Sequence, residues 1–284
     1  RGDAALRSRS AAVACAAVPT AAPFDPRPIG VFDSGLGGLT VLRALIDLLP
    51  HESVTYFGDT GRFPYGPRPA EEVRGFAVEI SDLLVERGVK MLVVACNSAA
   101  SAALDVLQRR YDIPVIGVVE PGVRAAAAAT TSGRIGVIGT VGTIASGAYQ
   151  EVAAQHGLEL TCQACPGFVE FVEAGDVDSD QVRVLAERLL GPVREAEVDT
   201  LVLGCTHYPL LARTIGAVMG REVVLVSSAD ETAFEVLRLL GGDRGGGSRG
   251  THRFITSGDP ATFQRLGARF LGPEVAEVEA WSWS

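Results

Sequence analysis

Apolar runs of four to six residues recur along the chain, and most are followed by a longer stretch with apolar positions three and four apart. The first kind of run predicts a buried strand and the second an amphipathic helix. From Pro28 the two alternate: Ile29–Phe32 reads as a strand, and Gly35-Leu36-Gly37-Gly38 turns it into a helix that runs through Leu49. Val54–Phe57 is the next strand, followed by a Gly/Pro-rich loop over Gly61–Pro69. Glu71–Arg87 places Val73, Phe76, Ile80 and Leu83-Leu84 at helical spacing. Lys90–Ala95 predicts a strand, Ser98–Arg109 a helix and Val115–Val119 a strand.

The pattern then begins again. Arg134–Ile138 predicts a strand, Val141–His156 a helix and Leu158–Cys162 a strand, and Pro166–Arg194 is mostly helical with a break around Gly175. Thr200–Leu203, Leu210–Met219, Val223–Val226 and Ala229–Leu240 continue the alternation. A Gly/Arg/Ser linker covers Gly241–Gly250, and His252–Thr256 with Thr262–Leu271 adds a last strand and helix. Alternation of this kind predicts an α/β protein with mainly parallel sheets. Residues 1–28 carry neither period and are set outside the fold as a disordered tail or extension; Ala11–Val18 is short for a signal-peptide core.

Two segments look alike. Residues 92–99 read Leu-Val-Val-Ala-Cys-Asn-Ser-Ala and residues 201–208 read Leu-Val-Leu-Gly-Cys-Thr-His-Tyr. Asp33 precedes Cys96 by 63 residues and Gly139 precedes Cys205 by 66, which suggests two related halves. Each cysteine closes a predicted strand, at the edge where open α/β sheets bind ligands.

Composition narrows the chemistry. A net charge of −9 gives no nucleic-acid footprint, and the apolar stretches are too short and too broken by charge to span a membrane. Five cysteines, an odd count, favour free thiols in a reducing compartment. The single lysine, Lys90, opens a buried strand and is poorly placed for a Schiff base, so a pyridoxal mechanism is not expected. Position 40 is Thr where a dinucleotide fingerprint needs its third glycine, and no G-x-x-x-x-G-K-[ST] loop exists.

Cys96 and Cys205 are then the chemically informative pair. Helix-opening amides lower a thiol's pKa, and thiolates serve as bases as well as nucleophiles. Asp33 near one thiol and His207 near the other would supply a charge partner or relay. Ser34 with its glycine amides suits a carboxylate. Glu170 and Glu173 share one helix face, and Phe63-Pro64-Tyr65-Gly66-Pro67 forms a rigid turn over the same sheet edge as Asp33. Cys162-Gln163-Ala164-Cys165 lacks a second pair at metal spacing and reads as structural, while His51, His156 and His252 read as surface residues.

Five motifs in order, Phe32-Asp33-Ser34-Gly35-Leu36-Gly37-Gly38, Pro64-Tyr65-Gly66, Cys96-Asn97-Ser98-Ala99, Cys165-Pro166 with Val172-Glu173, and Gly204-Cys205-Thr206-His207-Tyr208-Pro209, resemble those of glutamate racemases. The resemblance implies two pseudo-twofold-related α/β domains, 29–120 plus 228–284 and 121–227, with the active site in the cleft between them. It implies a two-base racemisation without cofactor or metal, in which Cys205 acts on L-glutamate and Cys96 on D-glutamate. Asp33 would assist Cys96, and His207 with Glu173 would assist Cys205. Ser34, Tyr65, Gly66, Asn97, Ser98, Thr206 and His207, with Asp33, would line the substrate. It further implies a cytoplasmic homodimer that makes D-glutamate for peptidoglycan; some members of the family also bind DNA gyrase. An aspartate or hydantoin racemase is the alternative on the same scaffold. Three departures stand out: Ser98 where Thr is usual, Glu170 where Pro is common, and the N-terminal extension. Only the first is expected to touch the site.

Overall fold

The computed structural model describes residues 24–242 and 248–283. Cys15, the run Ala11–Val18 and most of the predicted tail therefore lie outside the described residues, as do positions 243–247 of the predicted linker.

The first unit runs β1 (Ile29–Asp33), α1 (Leu39–Leu48), β2 (Val54–Gly58), α2 (Ala70–Glu86), β3 (Met91–Val94), α3 (Asn97–Arg110), β4 (Val115–Gly117) and α4 (Val119–Ala129). The second runs β5 (Arg134–Gly139), α5 (Val141–Ala145), α6 (Ala148–Gln155), β6 (Glu159–Ala164), α7 (Phe168–Ala174), α8 (Asp180–Leu189), α9 (Gly191–Glu195), β7 (Thr200–Gly204), α10 (Ala212–Met219) and β8 (Val224–Ser227). A closing segment adds α11 (Ser228–Leu240), β9 (His252–Thr256), α12 (Pro260–Leu271) and β10 (Val278–Ala280).

Two parallel sheets result, with strand orders β10-β9-β2-β1-β3-β4 and β6-β5-β7-β8. The order β2-β1-β3-β4 is repeated as β6-β5-β7-β8, so the likeness of residues 92–99 and 201–208 reflects equivalent places in two sheets. After α11 the chain returns to the first sheet and adds β9 and β10 beside β2. All five residues of β1 are buried, and so are all five of β7. Strands covered on both faces need apolar residues throughout, which is why these runs do not alternate.

Register decides what meets at the carboxyl edges. Asp33 pairs with Gly58 and Phe32 with Val94, which brings Ser34, Asp59 and Cys96 to one edge. Gly139 pairs with both Ala164 and Gly204, which brings Thr140, Cys165 and Cys205 to the other.

Several elements differ from the sequence expectation. Val115–Val119 is a strand only to Gly117, because Val118 turns into α4. The alanine run 125–129 has high helix propensity but no polar face, so it shows no period to read. The helix expected over Val141–His156 is two helices, broken where Gly147 takes φ 77°. Leu210–Met219 starts earlier, as a tight 3₁₀ turn over Tyr208–Leu211, and becomes α-helical only at Ala212. Residues 24–28 are not outside the fold: Lys90 bonds the carbonyl of Asp25 at 2.7 Å, lies over the Phe24 ring, and pairs with Glu52. The buried pair of Lys90 and Glu52 thus ties the start of the described chain to the amino edge of the first sheet, opposite the edge that carries Cys96. His252, expected at the surface, is half-buried, and burial lowers its pKa.

Candidate active site

Both cysteines line one pocket of about 80 Å³ between the two sheets. A water needs roughly 10–15 Å³ of such space, so the pocket has room for a molecule of amino-acid size. Larger hollows of about 460 and 610 Å³ lie against the amino-terminal ends of the sheets and hold no thiol. Among the described residues, no cluster of three His, Cys, Asp or Glu side chains could hold a metal.

Cys96 is the residue just before α3 and accepts hydrogen bonds from the Ala99 amide and from Ser34. These contacts favour a thiolate, as the position at a helix start suggested. They lose. Burial first, then the neighbouring Asp33 charge, push the Cys96 thiol up to about 12. Asp33 is fully buried behind Ser34, and loss of solvation raises its own pKa. It accepts from Gly35 N at 3.0 Å and from Thr206 Oγ1 at 3.3 Å, the second bond reaching across from the other half.

The Cys205 side is built differently. No α-helix opens at this cysteine; the 3₁₀ turn puts His207 beside it instead. His207 is 2% exposed, and its Nε2 meets Glu173 Oε1 at 2.7 Å. Burial works to lower the imidazole pKa, but bonds to Cys205 and Glu173 overcome it and raise it to about 10. His207 is thus an imidazolium standing at the sulfur of Cys205. Its ring packs between Phe63 and Phe270, with centroids 5.8 and 6.3 Å away. A side chain at Gly37 would run into Thr206 Oγ1 and His207 Nδ1, so only glycine lets the β1–α1 loop approach this closely.

The rest of the expected set falls into place with two exceptions. Ser34, Tyr65, Gly66, Asn97, Ser98, Thr206 and His207 all line the pocket with the two cysteines. Asp33 and Glu173 do not; they stand behind the wall, one against the Cys96 side and one against His207. Tyr65 is held by its hydroxyl bond to buried Asp59, whose carboxylate also takes bonds from Arg62, Ser257 and Trp283.

Sequence reasoning missed other residues here. Thr140 lies on the pocket wall, and Ser98 Oγ meets Thr140 Oγ1 at 2.9 Å and Thr143 Oγ1 at 3.2 Å, joining the halves. Gly142 N bonds Gly66 O at 2.8 Å and closes the same seam. Their positions opening the helix after β5 were the available signal, since β5 is the counterpart of β1. Cys165 also lines the pocket, and burial raises its thiol to about 12. Glu170 is a pocket residue too, so two of the three departures touch the site and not one.

Two parallel-sheet α/β units that each bring a thiol to one pocket form an architecture suited to an amino-acid racemase. The model of the Asp/Glu/hydantoin racemase family matches residues 29–234, and the chain belongs to that family. It is 56% identical over 267 residues to the glutamate racemase of Beutenbergia cavernae, covering 88% of this chain and 91% of that one. The glutamate racemase isoform RacE1 of Bacillus anthracis superposes with a TM-score of 0.85 at 43% identity, over 91% and 97% of the two chains. The Francisella tularensis glutamate racemase, solved with D-glutamate, gives 0.85 at 33% identity, over 91% and 98%. The resemblance read from five motifs therefore holds. Among the described residues no helix is long and apolar enough to cross a membrane.

Proposed function

We propose that this protein is a glutamate racemase that interconverts L- and D-glutamate with two cysteines and no cofactor. The observation that carries the reading is the meeting of Cys96 and Cys205, from equivalent strand ends of two sheets, in one amino-acid-sized pocket. The name and D-glutamate ligand of close relatives support glutamate as the substrate.

In the L-to-D direction, the Cys205 thiolate takes the α-proton, with the His207 imidazolium beside it and Glu173 behind. The electron pair left on the α-carbon takes a proton from the Cys96 thiol on the opposite face, and Cys96 becomes the thiolate. The reverse direction exchanges the roles. A thiol pushed up to about 12 is a proton donor across the neutral range, which is what Cys96 must be at the start of L-to-D turnover. Carbanion charge falls on hydrogen-bond donors fixed in the pocket wall. Ser34, Tyr65, Gly66, Asn97, Ser98 and Thr206 supply the polar contacts for the substrate's two carboxylates. By the same family resemblance, the D-glutamate serves peptidoglycan in the cytoplasm, and the working form is a homodimer divided into the domains 29–120 plus 228–284 and 121–227.

Cys96→Ser and Cys205→Ser test the mechanism, with α-proton exchange followed in deuterated water for each enantiomer. Each variant is expected to lose racemisation by about 10²–10⁴-fold, the usual contribution of a positioned acid or base. Racemisation at the parental rate by either variant would overturn the two-base assignment.

A further inference from the structure

Tyr149, which no motif singled out, touches both thiol-bearing segments. It is fully buried on α6, and its hydroxyl donates to Asn97 Oδ1 at 2.7 Å, one residue beyond Cys96. Its ring lies against Gly204, one residue before Cys205: a Cβ there would stand 3.2 Å from Tyr149 Cε2 and 3.3 Å from Cζ. Asn97 is 3% exposed and lines the pocket, and its Nδ2 is buried with no hydrogen-bond partner among the described residues.

We propose that Tyr149 is a positioning residue that fixes the Asn97 amide so that Nδ2 faces the pocket as a donor to a carboxylate of the substrate. The inference rests on the glutamate reading of the pocket and deepens it. Burial keeps the phenol protonated, so its O–H needs an acceptor, and Asn97 Oδ1 is the one it has. A flipped amide would leave that O–H buried without an acceptor and would turn Oδ1 towards an anionic ligand. Both consequences are unfavourable, so the tyrosine holds one orientation of a group that otherwise has two. Tyr149 is the second residue of α6, just past the left-handed Gly147 that separates α6 from α5.

Tyr149→Phe removes the hydroxyl and keeps the ring against Gly204. With kcat and KM measured for both enantiomers, KM is expected to rise about tenfold in each direction while kcat falls by less than about threefold, the pattern of lost ground-state binding. Asn97→Ala should raise KM at least as much, and Tyr149→Phe should then add nothing in the Asn97→Ala background. Asn97→Asp gives a second reading: Tyr149 still has an oxygen to donate to, so the other oxygen faces the substrate and KM should exceed that of Asn97→Ala. A silent Tyr149→Phe, additive effects in the double variant, or equal KM for Asn97→Asp and Asn97→Ala would each overturn the positioning role. A parental KM in Asn97→Ala would instead overturn the substrate contact of Asn97, and the positioning role with it.

Discussion

The Cys96 and Cys205 sides occupy the same place in two sheets of the same strand order, yet they are wired in opposite ways. At Cys96 an α-helix opens directly after the sulfur and a buried carboxylate stands beside it. At Cys205 a 3₁₀ turn replaces that helix start and delivers an imidazolium, itself tied to Glu173. A negative neighbour raises a thiol's pKa and a positive neighbour favours its thiolate. A symmetric pair would compete for the same protonation state, whereas the proposed two-base racemisation needs one sulfur with a proton and one without. The duplicated scaffold supplies the facing geometry, and the unlike neighbours break its symmetry.

Removing the positive neighbour should do the most damage to that contrast. His207→Asn is expected to lower kcat by about 10²-fold, within the range for a positioned acid–base group. The loss should be greater for L-glutamate, whose proton Cys205 removes in the proposed mechanism. Stability offers a separate check. The imidazole is raised from 6.5 to about 10 on folding, so its stabilising contribution is complete below pH 6.5 and fades as pH rises towards 10. The melting temperature of the parent should therefore exceed that of His207→Asn most at pH 6 and approach it by pH 10. A gap that stays constant across that range would mean that His207 carries no charge in the folded protein.

Most of this contrast could be read from the chain, but not its cause. The strands, the paired cysteines and the five motifs are local: each depends on neighbours within a few residues, and each survived almost unchanged. The helix start at Cys96 was legible, and its expected effect on the thiol was not realised. A buried carboxylate from β1 and the loss of water outweigh helix amides, and both arise from packing across the sheet. Tyr149 and Phe270 were invisible for the same reason. They are single aromatics on helices, of the kind that fill any core, and only folding brings them to Asn97 and His207. The helix break at Gly147 and the 3₁₀ turn at Tyr208 depended on one glycine and one proline whose effects propensity alone does not settle.

The negative neighbour can be removed with less disturbance. Asp33→Asn keeps an acceptor for Gly35 N and Thr206 Oγ1 but deletes the charge beside Cys96. Burial, the larger cause, remains, so the Cys96 thiol should fall from about 12 while staying above an ordinary cysteine. A loss of about tenfold in kcat is expected for D-glutamate under the proposed mechanism, in which Cys96 is the base and Asp33 assists its proton transfer. The alkaline limb of the pH–rate profile for L-glutamate, where Cys96 must keep its proton, should move to lower pH. An unmoved limb would show that Asp33 does not act through the charge on Cys96.

Glu173→Gln is the mildest intervention and the one that separates partner from scaffold. Glu173 stands behind the pocket wall with its side chain about a quarter exposed, so solvent screens part of its effect on His207. Glutamine keeps an oxygen for the His207 N–H and loses only the charge. Of the three groups that hold the imidazole pKa near 10, Cys205 and Asp33 remain in this variant. The imidazolium should then titrate at lower pH, while kcat at neutral pH falls by no more than about fivefold, since the charge facing Cys205 persists there. A loss as deep as that of His207→Asn would mean that Glu173, and not the thiol, keeps the proton on the imidazole, and that the Cys205 side depends on a three-group relay.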